Sequence, residues 1–187
     1  MARAASRPLL LTLLVCAALL LPSAGRAGGG RYALTGGTPR ERAEVVRALE
    51  ASSFDWELVA DQVRVHIGRG ILSRATPGEV WLDANLLDAG AFAWGVVQHE
   101  FAHQVDFLLL TNADREALRR VVGGNVWCTP GLHSADQGCE RFASALAWAY
   151  WPSPENCMRP RAETRRGAAR FRARLEQLIP FAERTAR

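Results

Sequence analysis

Residues 88–110 are apolar on nearly every side of the helix they are expected to form, so that helix has to be covered all round and belongs inside the molecule. The rest of the chain must therefore supply layers on several sides of it. His99, Glu100, His103 and Asp106 nevertheless lie within the stretch, and buried ionisable groups are costly unless paired or bound. Phe92, Val96, His99, His103, Asp106 and Leu110 share one stripe at spacings of four and three. Gly95 costs this helix about 1 kcal/mol relative to alanine, a cost that close backbone approach would explain.

The covering elements read as an α+β arrangement, a small antiparallel sheet packed on the buried helix plus further helices. Thr38, Pro39 and Glu41 form a helix start, with Thr38 as N-cap, Pro39 in first position and Glu41 three residues on, and the helix runs to about Ala51. Residues 63–67 alternate with period two, as a half-buried strand does. Residues 68–78 carry turn residues, and Glu79–Asp83 is the second strand. A helix over Asn112–Val122 stops at Gly123 and Gly124, residues 125–138 are an irregular loop, and residues 139–151 are helical until Pro152 and Pro154. A last amphipathic, arginine-rich helix spans 161–178. Residues 38–187 thus read as one domain, preceded by a flexible glycine-rich lead-in at 28–37.

Residues 1–27 read as an export signal, with Arg3 and Arg7 before an apolar run and a small-x-small site at Gly25, Arg26 and Ala27. The expectation is a secreted, extracellular chain with no stable membrane insertion once the signal is removed. The 187 residues are 49% hydrophobic and 22% charged, which excludes a disordered tail or a collagen-like fibre. The net charge of +4 includes three arginines of the signal, leaving a nearly neutral remainder. The arginines that remain are concentrated beyond residue 158, where a solvated helix face accounts for them without a nucleic-acid partner. Cys128, Cys139 and Cys157 admit three single-disulfide pairings, each leaving one thiol.

His99-Glu100-Phe101-Ala102-His103 is an H-E-x-x-H motif on the expected buried helix. Residues four apart share a helix face, so both imidazoles can hold one Zn²⁺ per chain, with Glu100 beside a metal-bound water. A third protein ligand is then required. The metzincin continuation is excluded, because Asp106 and Leu109 occupy the glycine and histidine positions. Glu140 is the best candidate: it starts a helix whose Ala143, Ser144 and Ala147 follow on the same face and allow close approach. The alternative for Glu140 is a helix-start acid favoured by the macrodipole. Asp106 either accepts the second N–H of a ligand imidazole or is an ordinary solvated or salt-bridged acid. His66, at a strand centre, reads as structural. Trp148, Tyr150 and Trp151 read as core, or else as a substrate subsite.

The run His-Glu-Phe-Ala-His-Gln-Val-Asp from His99 to Asp106, with Glu140-Arg-Phe-Ala-Ser-Ala-Leu downstream, resembles the catalytic core of the anthrax lethal factor-like zinc peptidases. These are gluzincin-type zincins with H-E-F-x-H-x-V-D and a later E-F-F-A. The similarity covers about residues 95–150. It implies a zincin-like fold with His99, His103 and Glu140 as zinc ligands and Glu100 as general base. Relatives of this kind carry a tyrosine about seven residues before the glutamate ligand, where it stabilises the oxyanion; here that position is His133, which either donates the same hydrogen bond or is an exposed loop histidine with that role lost. The resemblance also implies peptide bound as an added strand, for which Glu79–Asp83 is the expected sheet edge. The expected activity is zinc-dependent peptide hydrolysis by a monomer acting on a peptide or protein substrate. The alternatives are an inactive zinc-binding module and a zinc hydrolase of a non-peptide amide such as a cell-wall crosslink. A chance motif in a helical domain with a polymer-binding basic tail is a further rival.

Overall fold

The computed structural model describes residues 31–59, 62–129, 136–159 and 165–179. The expected signal at 1–27 and His133 lie outside the described residues. Strand β1 (Arg31–Gly36), helix α1 (Pro39–Ala51), β2 (Gln62–Gly68), β3 (Arg74–Thr76), β4 (Glu79–Asp83) and α2 (Ala84–Leu87) come first. They are followed by α3 (Ala91–Leu109), α4 (Asn112–Val122), α5 (Gly138–Tyr150) and α6 (Arg165–Leu178). The protein is mixed α+β, with a small four-stranded sheet and several helices.

The sheet order is β1-β2-β4-β3, and it is mixed: β1 and β4 both run parallel to β2, and β3 alone is antiparallel to its neighbour. This corrects the expected antiparallel sheet. Parallel neighbours need a crossover of a dozen or more residues, and the thirteen-residue α1 supplies it between β1 and β2. Between β2 and β4 the chain first lays down β3, then turns tightly at Pro77 and Gly78 so that Thr76 pairs with Glu79. Glu79–Asp83 is therefore interior, and the sheet edge on that side is β3. The supposed lead-in also needs correction, because residues 31–36 pair along β2 as the opposite edge strand.

The start of α1 is as the sequence indicates: Thr38 Oγ1 accepts from the Glu41 amide at 3.3 Å, and Glu41 accepts from the Thr38 amide at 2.6 Å. The helix expected over 88–110 begins at Ala91 as α3, after Gly90 at φ 65°, and the short α2 ends before it at Leu87. Every residue from 97 to 106 is buried, so the central position expected of this segment holds. Val63, Val65, Ile67, Val80 and Leu82 point from the sheet into the core shared with α1 and α3. Each such aliphatic side chain contributes about 1.5–3 kcal/mol by leaving water. The opposite face of α3 packs on α5, where Ala143 and Ala147 are fully buried. Among the described residues no helix is long and apolar enough to cross a membrane.

The cysteine pairing is resolved as Cys128 with Cys139, leaving Cys157 free and exposed. Gly95 meets a close approach, though from a side chain as well as backbone: a Cβ there would lie 2.4 Å from Asn156 Oδ1 and 3.4 Å from the Cys157 amide.

Candidate metal centre

His99 and His103 stand one turn apart on α3, and their Nε2 atoms are 3.3 Å from each other. Glu140, in the first turn of α5, places Oε2 3.4 Å from His99 Nε2 and Oε1 3.5 Å from His103 Nε2. These three residues form a group that could hold a metal ion, with all ligand atoms within 4.8 Å of one another. The triangle has the right size for one. Ligand atoms about 2.0–2.1 Å from a tetrahedral zinc are separated by about 3.3–3.4 Å, which is the spacing of these atoms. Two imidazole nitrogens and a carboxylate are also a chemically suitable donor set.

The electrostatics favour a neutral His103 ring with a lone pair to offer. Burial pushes the His103 pKa down to about 4, with His99 adding to the fall and Glu140 opposing it, so the ring is neutral at pH 7. The Glu140 carboxyl is held below the usual carboxylate range by its hydrogen bond with His99, against the effect of burial, and it stays ionised. Glu100, next along the helix, is 7% exposed. Burial raises its pKa to about 7, an effect that His99 opposes and Glu140 reinforces. A carboxyl poised there can both accept and return a proton near neutrality.

Three residues to which the sequence assigns no polar contact hold this arrangement. Ser144 lies one turn beyond Glu140 on α5, and its Oγ is 3.2 Å from His99 Nδ1. The hydroxyl is thus placed to accept an Nδ1 proton, the tautomer in which Nε2 gives up its hydrogen bond to Glu140 and offers its lone pair to a metal ion. Gln104 ties α3 to the β3–β4 hairpin, accepting from the Gly78 amide at 2.8 Å and donating to the Thr76 carbonyl at 2.8 Å. It is fully buried and adjoins His103, so the edge strand β3 is fastened beside the site. Asn156 is buried and donates to the Ala147 and Trp151 carbonyls at 2.9 and 2.8 Å, and its Oδ1 accepts from the Met158 amide at 2.9 Å. This loop brings Met158 Sδ within 3.9 Å of Ser144 Oγ. Ser144 had a readable signal, its i+4 spacing from Glu140; Gln104 and Asn156 had none beyond being polar.

Asp106 does not orient a ligand imidazole as considered above. Its carboxylate accepts from Arg115 Nε at 2.7 Å and from Trp127 Nε1 at 3.0 Å, because α4 and the segment after it fold back over the end of α3. His66 stands on the sheet, away from the site, with its ring stacked on Trp81 at 5.2 Å and Nδ1 3.0 Å from Thr35 Oγ1. Tyr150 is core, packed edge-on against Phe54 at 5.1 Å, while Trp151 packs on Trp94 and Trp148 lies under Arg159. Compared with known proteins, the chain matches no family model, no curated protein and no solved structure.

Proposed function

We propose that this protein is an exported, zinc-dependent metallopeptidase of zincin-like architecture. The observation that carries the reading is the convergence of His99, His103 and Glu140 at 3.3–3.5 Å, with the buried Glu100 adjoining them. A structural site has no use for a general base beside its ligands, so Glu100 favours hydrolysis over an inactive zinc-binding module. Bound there, Zn²⁺ supplies Lewis acidity that activates water and polarises a carbonyl. Glu100 takes the proton released on attack and returns it to the leaving amine, a double task suited to a pKa about neutrality. Ser144 holds the His99 ring, and Gln104 holds β3, whose open edge is where an extended peptide adds as a strand. His133 is assigned to oxyanion contact on the strength of its position relative to Glu140. A disulfide between Cys128 and Cys139 agrees with export to an oxidising compartment, as does the signal-like segment at 1–27.

The test is to incubate the purified chain with a diverse peptide mixture and read new termini by mass spectrometry, beside Glu100→Gln and a chelator-treated sample. Cleavage confined to the untreated wild type is expected. Equal patterns in all three samples count against peptide hydrolysis and turn attention to amide substrates outside peptides.

A further inference from the structure

Helix α5, which delivers Glu140, begins without a side-chain cap from Gln137. A helix start has backbone N–H groups that need acceptors from elsewhere. Here they come from the segment before the disulfide: the Gly138 amide donates to the Val126 carbonyl and the Cys139 amide to the Trp127 carbonyl, both at 2.8 Å. The Asn125 amide donates in turn to the Asp136 carbonyl at 2.9 Å. The two segments touch backbone to backbone, since a Cβ on Gly124, whose φ is +109°, would lie 2.7 Å from the Gly138 nitrogen. Cys128 and Cys139 then join them covalently, one residue before Glu140.

The same segment is fastened to α3. Trp127 Nε1 donates to both Asp106 oxygens, at 3.1 and 3.0 Å, and Arg115 holds that carboxylate from the other side. The Trp127 ring packs on Phe142 of α5 at 5.7 Å. A path of contacts therefore runs from His103 along α3 to Asp106, across to Trp127, and through Cys128 and Cys139 to Glu140. Both of its ends carry ligand atoms. The ligand spacing leaves little tolerance, and a first-turn residue is the part of a helix most prone to fray.

We propose that the Cys128–Cys139 disulfide and the Trp127–Asp106 contact form a positioning clasp that holds Glu140 against His99 and His103, so that affinity for a divalent cation depends on the disulfide. The proposal rests on reading those three residues as a metal site. Asp106 thereby acts on the site through the third ligand, from a distance, and not through an imidazole.

The test measures Zn²⁺ affinity by competition with a chromophoric chelator, using the purified chain. It compares wild type, the Cys128→Ala/Cys139→Ala double variant, Trp127→Phe and Cys157→Ala. Alanines are chosen so that no freed thiolate can itself bind zinc. The double variant is expected to bind about tenfold or more weakly, in the range found when groups supporting metal ligands are removed. Trp127→Phe is expected to lose less, and Cys157→Ala nothing. In metal-free protein, hydrogen exchange at the Gly138 and Cys139 amides should quicken in the double variant while residues 142–149 keep their protection. That readout separates a loosened helix start from global unfolding. A folded double variant with wild-type affinity overturns the clasp; if the double variant does not fold, unchanged affinity in Trp127→Phe overturns it. Wild type that binds no zinc overturns the metal-site reading instead.

Discussion

Gly95→Ala sets helix propensity against packing, and the structure decides the sign. In an unobstructed helix interior the substitution stabilises by about 1 kcal/mol. Here the new methyl would lie 2.4 Å from Asn156 Oδ1 and 3.3 Å from Asn156 Cγ. An amide oxygen can swing away cheaply when free, but this side chain is 3% exposed and makes three hydrogen bonds, to Ala147, Trp151 and Met158. Moving it breaks some of them, at about 0.5–1.5 kcal/mol each, on top of about 1–3 kcal/mol for overpacking. Set against the propensity gain, the net is a destabilisation of about 2–4 kcal/mol. Urea denaturation of the metal-free protein measures it as a lowered midpoint at unchanged slope, and for a domain of this size the melting temperature should fall by roughly 5–15 °C. The companion Asn156→Ala shortens the obstructing side chain, so Gly95→Ala should cost much less in that background. A stability increase for Gly95→Ala alone, or strict additivity with Asn156→Ala, refutes the reasoning.

Ser144→Ala removes the hydroxyl beside His99 Nδ1 and leaves that ring free to change tautomer; zinc affinity by chelator competition should fall about tenfold, and a change under threefold would discount the contact. Glu100→Gln should keep its zinc while losing cleavage, whereas Glu140→Ala should weaken zinc binding itself, both read by metal analysis after dialysis. Metal-free Glu100→Gln also carries a pH signature. The folded pKa of Glu100, about 7, lies above the ordinary glutamate value of 4.5, so its contribution to stability is complete below about pH 4.5 and is lost as pH rises through 7. Glutamine never ionises, so the variant should match wild type near pH 4.5 and exceed it by on the order of 3 kcal/mol at pH 8, in paired urea titrations. A constant difference across that range would mean that Glu100 is not buried as an acid.

What was legible in the sequence was local. The spacing of His99 and His103 follows from 3.6 residues per turn, the α1 start from the chemistry of Thr38, Pro39 and Glu41, and the burial of α3 from its continuous apolar surface. Glu140 was reachable because small residues behind it permit close helix approach and because its surroundings resemble a known pattern. Strand β3 was not legible, since three residues between turn glycines carry no usable period, and β1 was hidden within the glycine-rich stretch at 28–37. Strand direction escaped for a different reason. Both parallel and antiparallel pairing accept the same alternation of side chains, and only the path of the connecting chain chooses between them.

The partners of the buried polar groups were settled last. Asp106 lies on the stripe of the histidines, yet α4 and Trp127 capture it; Ser144 looks like one more small residue, yet it meets His99. Periodicity says which face a residue occupies, but a hydrogen bond also needs the distance and angle of a partner far along the chain. The amino-acid sequence by itself therefore determined the central helix and the two histidines that share one face of it. Tertiary structure alone decided which strand forms the edge, which cysteines pair, and which side chains hold the three ligand atoms at one spacing, because each depends on contacts between segments that no local pattern relates.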